Sequence, residues 1–153
     1  MNQDFKDLLS AFNAHRVEHL VVGAHALAAH GYVRATKDLD VWVRPDPENA
    51  RRTMLALAAF GAPLDNLTEQ DLSSPGLIFQ IGLPPVRIDV LTAIDGVEFA
   101  EAWEARVHAH LGTVPVGVLS VRHLIANKTV AGRLQDLADI EALRKLGLAG
   151  DNR

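Results

Sequence analysis

Residues 33–42, VRATKDLDVW, place two aspartates, Asp38 and Asp40, at the beginning of what otherwise reads as a hydrophobic β-strand. Side chains two positions apart on a strand point to the same face of the sheet, so the two carboxylates are neighbours. The apolar side chains of the strand point to the other face: Leu39, Val41 and Val43. We therefore expect the apolar set to pack in the core, and the carboxylates to lie on an open face together with Trp42.

The remaining chain alternates between helical and extended segments, with no repeats and no long linker. Apolar spacing and turn residues predict helices over residues 4–15, 24–32, 46–61, 98–105, 121–132 and 134–147. The last two are either separate helices or one helix broken near Gly132. Similar signals predict strands over residues 19–24, 38–44, 76–82, 86–92, 106–111 and 114–119.

The order of these elements predicts an α+β fold, in which helices flank a mixed β-sheet and two helices close the chain. The third and fourth strands are expected to form an antiparallel pair across the turn Gly-Leu-Pro-Pro at residues 82–85. A length of 153 residues, 48% apolar and 22% charged, is that of one globular domain over residues 1–153, with a C-terminal helical part at about 120–148.

Composition excludes several kinds of protein. The absence of cysteine excludes disulfide frameworks, thiolate zinc sites and thiol nucleophiles. The opening residues lack the pattern of a signal peptide, and no stretch approaches about 20 uninterrupted apolar residues, so we expect a cytoplasmic protein without membrane contact. A net charge of −4 argues against binding of nucleic acid by overall electrostatics.

Charge is nevertheless unevenly distributed. Residues 64–104 contain eight acidic residues and a single base, Arg87, a balance of −7. From residue 120 onward six basic residues face four acidic ones. The C-terminal surface could therefore receive an anion, while the central segment could face a basic partner.

A third carboxylate occurs in a similar setting to the first two. In VRIDVLT, residues 86–92, Asp89 lies between Ile88 and Val90. If this strand lies beside the first, about 5 Å away, three carboxylates converge within the range of metal ligands. Like charges this close repel, and two Mg²⁺ ions about 4 Å apart would relieve the repulsion. From the spacing alone, a solvated strand edge or a turn is the other interpretation.

The segment before the paired aspartates contains a glycine between a strand and a helix. Gly23 ends the predicted strand HLVVGA, and the helix AHALAAHGY follows it. Backbone N–H groups at a helix N-terminus favour anions, and glycine permits close approach. A phosphate-binding corner beside a metal site is an arrangement suited to phosphoryl or nucleotidyl transfer.

Three segments resemble the nucleotidyltransferase superfamily of the DNA polymerase beta type, within its small bacterial branch of AbiEii-like and minimal nucleotidyltransferases. They are VVGAHALAAHGYVRATKDLDVWV at residues 21–43, RIDVLT at 87–92 and NKTVAGRLQDLADIEAL at 127–143. The form Arg-x-Thr-x-Asp-x-Asp, with Arg34 and Thr36, resembles the AbiEii-type branch most. The resemblance implies a mixed sheet flanked by helices.

The resemblance also implies a role for each matching residue. Two Mg²⁺ ions would be held by the three carboxylates: Asp38, Asp40 and Asp89. The triphosphate of a nucleoside triphosphate would lie at the turn formed by Gly23 and Ala24. Further cations for that triphosphate would be Arg34, Lys128 and Arg133, and Asp136 would orient Arg133. One departure is Ala24, where the family has glycine or serine, so a hydroxyl contact is absent while the backbone amide is retained.

The C-terminal helix carries two patterns. Leucine and isoleucine recur at a spacing of three residues and predict a core-facing stripe: Leu134, Leu137, Ile140 and Leu143. Arg133, Asp136 and Asp139 share a neighbouring polar face. Periodicity by itself favours a solvated face of ion pairs there.

Two functions from different classes follow. The first is a Mg²⁺-dependent nucleotidyltransferase that transfers a nucleoside monophosphate from a nucleoside triphosphate to a hydroxyl of an acceptor, RNA or protein, and belongs to a toxin-antitoxin pair. Asp89 would then be the base for the attacking hydroxyl. The second is a module of the same fold with little or no catalysis, which binds a toxin or antitoxin partner. The short chain and Ala24 favour the second, and three retained carboxylates favour the first.

Overall fold

The computed structural model describes residues 2–36, 38–83 and 86–148. Seven helices are α1 (Gln3–Ala14), α2 (Gly23–Ala29), α3 (Pro47–Phe60), α4 (Glu69–Ser73), α5 (Phe99–Glu104), α6 (Val121–Ala131) and α7 (Leu134–Lys145). Six strands are β1 (His19–Val22), β2 (Asp38–Val43), β3 (Ile78–Leu83), β4 (Val86–Leu91), β5 (Val107–Leu111) and β6 (Val114–Val118). Within those ranges, no helix is both long enough and apolar enough to span a membrane.

The six strands form one mixed sheet in the order β3-β4-β2-β1-β6-β5. Strands β2 and β4 are parallel, as are β1 and β6, and the other neighbours are antiparallel. The predicted α+β fold with a mixed sheet is confirmed, including the antiparallel pair β3 and β4. Pro84 and Pro85 of the predicted turn lie outside the described residues.

Local signals account for most helix boundaries. The Asp46 side chain accepts a hydrogen bond from the backbone N–H of Asn49 at the start of α3, and Gly61 ends that helix at φ 96°. Gly132, at φ 65°, separates α6 from α7, so the closing segment is two helices. Helix α4 was not predicted. It occupies the polar loop after α3 and is stabilised by a reciprocal cap between Thr68 and Asp71.

The two faces of β2 differ along its length. Its apolar residues are fully buried and join the core formed with α1 and α3: Leu39, Val41 and Val43. The prediction that Trp42 lies on an open face was wrong, because its side chain is only 1% exposed. Its ring packs edge-on against Phe99 of α5, with centroids 5.0 Å apart. Helix α5 therefore covers the second half of the strand, and only the half with Asp38 and Asp40 stays open.

The C-terminal helix α7 is oriented differently from what its apolar pattern predicts. Ile140 and Leu143 are buried as predicted, but Leu134 is 87% exposed and Leu137 is 51% exposed. The predicted core stripe is therefore wrong for the first half of the helix. That half instead directs two carboxylates inward, since Asp136 and Asp139 are both buried. The prediction of a solvated ion-pair face was also wrong, because Lys128 of α6 reaches these carboxylates from inside the protein.

Candidate active site

A cleft of about 670 Å³ opens on the face of the sheet that carries the paired aspartates. All eight residues predicted for the site line it: Gly23, Ala24, Arg34, Asp38, Asp40, Asp89, Lys128 and Arg133. These residues come from β1 and α2, the loop before β2, the strands β2 and β4, and the last two helices. The fold thus brings together side chains that are more than a hundred positions apart in the sequence.

The three carboxylates lie on adjacent parallel strands. Asp40 of β2 is directly opposite Asp89 of β4, and Asp38 is directly opposite Arg87. Residues opposite one another on paired strands share a face of the sheet. Three carboxylates and one guanidinium therefore occupy four neighbouring positions, as the predicted convergence of Asp38, Asp40 and Asp89 requires.

Arg87 contacts two of the three acids. Its Nη2 donates to Asp38 Oδ2 at 2.9 Å and to Asp89 Oδ2 at 3.3 Å. Its Nε lies 3.0 Å from Asp89 Oδ1, but not in a direction that makes a hydrogen bond. Both of these atoms are buried, and neither has a hydrogen-bond partner among the described residues. The guanidinium therefore neutralises part of the cluster with imperfect geometry.

Asp40 bears most of the remaining repulsion. Burial, followed by the charges of Asp89 and Asp38, together raise the pKa of Asp40 to about 7, against the opposing charge of Arg87. Removing a carboxylate from water disfavours its charged form, and neighbouring negative charges add to that effect. An uncompensated carboxylate beside two others is an electrostatic arrangement that a bound cation stabilises.

Gly23 is in close contact with this cluster. Its φ of 66° lies in the left-handed region, which disfavours side chains, and a Cβ atom at this position would overlap Asp40 Oδ2. The glycine therefore allows the turn between β1 and α2 to approach the carboxylates directly. Ala24 follows at the start of α2 and is buried.

A second charged cluster forms the opposite wall of the cleft. The Arg34 guanidinium donates Nε to Asp139 Oδ1 at 3.0 Å and Nη2 to Asp139 Oδ2 at 3.2 Å. Lys128 Nζ donates to Asp139 Oδ2 at 2.8 Å and lies 3.5 Å from Asp136 Oδ1. Burial alone would raise the pKa of Asp139, but hydrogen bonds from Lys128, Gln135 and Arg34 outweigh it and hold that pKa below its usual range.

Arg133 is the exposed member of this wall. Its side chain is 78% exposed, and its Nε and Nη2 donate to the two carboxylate oxygens of Asp136 at 2.7 and 3.2 Å. Burial raises the pKa of Asp136, whereas the side-chain and backbone hydrogen bonds of Arg133 lower it, and the net direction is downward. The geometry is the one expected if Asp136 orients Arg133, and it leaves the guanidinium at the mouth of the cleft.

The donor set suits Mg²⁺, although the side chains are not yet arranged around an ion. Within residues 2–36, 38–83 and 86–148, no group of three or more histidine, aspartate or glutamate side chains is positioned to hold a metal as it stands. The residues nevertheless supply carboxylate oxygens, which hard cations prefer. One of these oxygens, Asp89 Oδ1, is buried without a hydrogen bond from the described residues, and Asp40 carries excess repulsion.

Two residues of the site were missed as functional candidates from sequence: Arg87, which lines the cleft, and Asp139, which is buried behind its wall. Arg87 was noted only as the single base of the acidic segment, although its position two residues before Asp89 places both on one face of β4. That spacing was a usable signal. Asp139 was assigned to a solvated face, and no local pattern distinguishes a buried acid from an exposed one on an amphipathic helix.

Comparison with known proteins identifies the fold. No protein-family model and no curated protein sequence matches the chain. A crystal structure from Thermotoga maritima, described as a proposed nucleotidyltransferase, matches with a TM-score of 0.58 at 12% identity, over 93% of this chain and 89% of that chain. The solution structure of the antibiotic-resistance factor ANT(2'')-Ia matches with a TM-score of 0.64 at 17% identity, over 94% of this chain and 82% of that chain. The chain therefore shares its fold with nucleotidyltransferase structures.

Proposed function

We propose that this protein is a Mg²⁺-dependent nucleotidyltransferase that transfers a nucleoside monophosphate from a nucleoside triphosphate to an acceptor hydroxyl. The observation that carries the proposal is the pairing of Asp40 with Asp89 across parallel strands, beside Asp38, in a cleft of a fold shared with nucleotidyltransferases. Three carboxylates with one guanidinium leave a negative excess in the absence of a cation. A protein without a cation to bind gains nothing from that excess.

In this proposal Asp38, Asp40 and Asp89 hold the metal and position the reacting groups. Bound Mg²⁺ supplies neutralisation of the phosphate charge and a lower pKa for the acceptor hydroxyl. Asp89 accepts the proton of that hydroxyl. The acceptor oxygen then bonds to the α-phosphorus, and the bond from that phosphorus to the bridging oxygen of the pyrophosphate breaks.

The two walls of the cleft would bind the nucleotide differently. Gly23 and Ala24 would present backbone N–H groups in the first turn of α2, where phosphate oxygens can approach closely because glycine has no side chain. Arg133, at the mouth of the cleft, is the most accessible of the predicted cations. Arg34 and Lys128 already donate hydrogen bonds to Asp139 at 3.0 and 2.8 Å, so we assign them first to holding α7 against the rest of the cleft.

The acceptor and the biological setting are finer parts of the proposal. RNA and protein both offer hydroxyls, and the resemblance of residues 21–43, 87–92 and 127–143 to AbiEii-like proteins supports membership of a toxin-antitoxin pair. The direct test incubates the protein with Mg²⁺ and each of the four α-labelled nucleoside triphosphates, with total RNA and total cell protein as acceptors. We expect label in one acceptor class from the wild type and none from Asp40→Asn.

The matched control for that test is Asp65→Asn, an exposed acid of the same acidic segment outside the cleft. It should transfer label at the wild-type rate. Transfer by Asp40→Asn at the rate of Asp65→Asn would exclude the assignment of the carboxylates as metal ligands.

We propose a module that binds a toxin or antitoxin partner as the second candidate. Two observations favour it: Arg87 already neutralises part of the acidic cluster, and Leu134 and Leu137 form an exposed apolar face on α7. Thermal unfolding with Mg²⁺ and each nucleoside triphosphate separates the two candidates. A ligand at about 100 times its dissociation constant adds roughly 2.7 kcal/mol, whereas a module that binds only partners shows no such shift.

A further inference from the structure

Arg87 lies between two of the three carboxylates that are proposed to hold the metal. It stands directly opposite Asp38 and two residues before Asp89 on the same face of the sheet. Its guanidinium bridges these two acids, with the closest contacts at 2.9 Å to Asp38 and 3.0 Å to Asp89. Mg²⁺ binds oxygen ligands at about 2.0–2.1 Å in octahedral geometry, so the carboxylate oxygens that the guanidinium now contacts would have to be released before they could all serve as its ligands.

The contact of Arg87 with Asp38 and Asp89 is one that an incoming cation can replace. Arg87 Nε and Asp89 Oδ1 are close enough for an ion pair, at 3.0 Å, but do not form a hydrogen bond with each other. The Arg87 side chain is also 30% exposed. By contrast, both oxygens of Asp139 accept hydrogen bonds from Arg34, and this carboxylate has no exposed surface. A cation entering the cleft reaches the acids held by Arg87 before it reaches the acid held by Arg34.

We propose that Arg87 is a resident counter-ion that competes with the divalent metal for Asp38 and Asp89, and that metal binding releases its guanidinium toward the phosphates of the nucleotide. The inference rests on the proposed function. Guanidinium groups bind phosphate in the same bidentate way as they bind carboxylate, so the released side chain has a new partner in the same cleft. Metal and nucleotide binding are thereby coupled through a single side chain, which exchanges its carboxylate partners for phosphate.

The coupling has two consequences for the metal-free protein. Arg87 holds Asp38 and Asp89 together while no cation is present, so its removal leaves three carboxylates with mutual repulsion and lowers the melting temperature. The same removal eliminates the competitor, so metal binds more tightly. Stability without metal and affinity for metal therefore move in opposite directions, which a residue with only a structural role does not produce.

The test uses Mn²⁺ as the probe, because its free concentration can be followed by electron paramagnetic resonance. We expect Arg87→Gln to bind Mn²⁺ at least about tenfold more tightly than the wild type, since two charge-assisted contacts no longer compete. Its melting temperature should be lower without metal and should rise further than that of the wild type when Mn²⁺ is added. A triphosphate should increase Mn²⁺ affinity in the wild type, and this increase should be smaller in Arg87→Gln.

Two further variants keep the test decisive. Arg44→Gln removes an arginine of similar exposure, 25%, whose partner is Glu18 away from the cleft, and it should leave Mn²⁺ affinity unchanged. Arg87→Lys retains the charge with fewer donors and should lie between Arg87→Gln and the wild type, even if Arg87→Gln does not fold. Equal or weaker Mn²⁺ binding by folded Arg87 variants overturns this inference alone. Absence of Mn²⁺ binding in the wild type and in every Arg87 variant overturns the proposed function as well.

Discussion

The cleft is built from two charged clusters that are balanced in opposite ways. On the sheet, Asp38, Asp40 and Asp89 share a single guanidinium, so negative charge is in excess. On the helical wall, two buried carboxylates meet three cations: Arg34, Lys128 and Arg133. The pKa of Asp40 is raised by burial and its acidic neighbours, whereas that of Asp139 is lowered by donors that outweigh burial.

This difference separates structural charge from functional charge. A buried carboxylate whose oxygens all accept hydrogen bonds from cations needs no further ligand. The carboxylate of Asp139 is of this kind, and it holds the loop before β2 against α7. A carboxylate that faces other carboxylates is repelled by them until a cation binds. The same residue type, aspartate, therefore serves stability at one wall of the cleft and binding at the other, and the following substitutions test that division.

The largest effect is expected at the helical wall. Asp139→Ala should lower the free energy of unfolding by about 3–5 kcal/mol, because it leaves Arg34 and Lys128 as cations without their main partner in a buried site. Urea denaturation followed by circular dichroism measures the change. Glu141→Ala on the same helix is the control, since its pair with Arg144 is exposed and 3.7 Å long, and it should cost less than about 0.5 kcal/mol. Equal losses in the two variants would contradict the division.

A smaller loss of stability is expected at Gly23, which contacts Asp40 of the three-carboxylate cluster on the sheet. Gly132→Ala places a side chain at φ 65° with only ordinary contacts around it, which should cost about 1–2 kcal/mol. Gly23→Ala has nearly the same φ of 66°, but its Cβ overlaps Asp40, so we expect at least about 1 kcal/mol more. Urea denaturation of the two variants measures both stability losses, and their difference gives the cost of the close contact between position 23 and Asp40. If both lose the same stability, Asp40 rotates away freely and the approach is not constrained.

An effect of opposite sign is expected at the sheet cluster itself. Asp40→Asn should raise the free energy of unfolding by at least about 1 kcal/mol above pH 7, because the wild-type carboxylate ionises there beside two other acids, and each unit of pKa shift is worth about 1.4 kcal/mol. The gain should be absent below about pH 4. Between about pH 4 and pH 7, Asp40 keeps its proton in the folded protein, where its pKa is about 7, but loses it in the unfolded chain. The contribution of Asp40 to wild-type stability therefore falls as pH rises through this range.

Urea denaturation of both proteins from pH 4 to pH 8 measures that difference. Burial lowers the pKa of His19 to about 4, so this residue adds stability as pH rises from 4 to about 6.5. Its contribution is the same in both proteins and cancels when one curve is subtracted from the other. A difference that does not change with pH would mean that Asp40 is not under the repulsion described above.

Sequence reasoning succeeded where a signal is local. The caps at Asp46 and Gly61, the alternation over residues 38–41 of β2 and the break at Gly132 are each determined by a few neighbouring residues, and the structure agrees with them. The resemblance added the three segments that the fold assembles in one cleft. The predicted metal and phosphate roles of these residues remain predictions.

The errors share a physical cause. Trp42 and Leu134 were placed by periodicity, which shows which residues share a face but not what covers that face. Helix α5 covers Trp42, while no described element covers Leu134, which is 87% exposed. Asp139 was placed on a solvated face because nothing local reveals that Lys128 and Arg34 reach it from other elements.

The sequence by itself determined that two aspartates share one face of a strand, that Gly23 separates a strand from a helix, and that the chain alternates helices and strands into a mixed sheet. These properties depend on backbone geometry, which repeats every two or 3.6 residues. Only the tertiary structure decided that Asp89 lies opposite Asp40, that Arg87 stands between the acids, and that Asp139 is enclosed by cations. Strand order and helix docking decide such contacts, because charge interactions depend on distances in space between residues far apart in the chain.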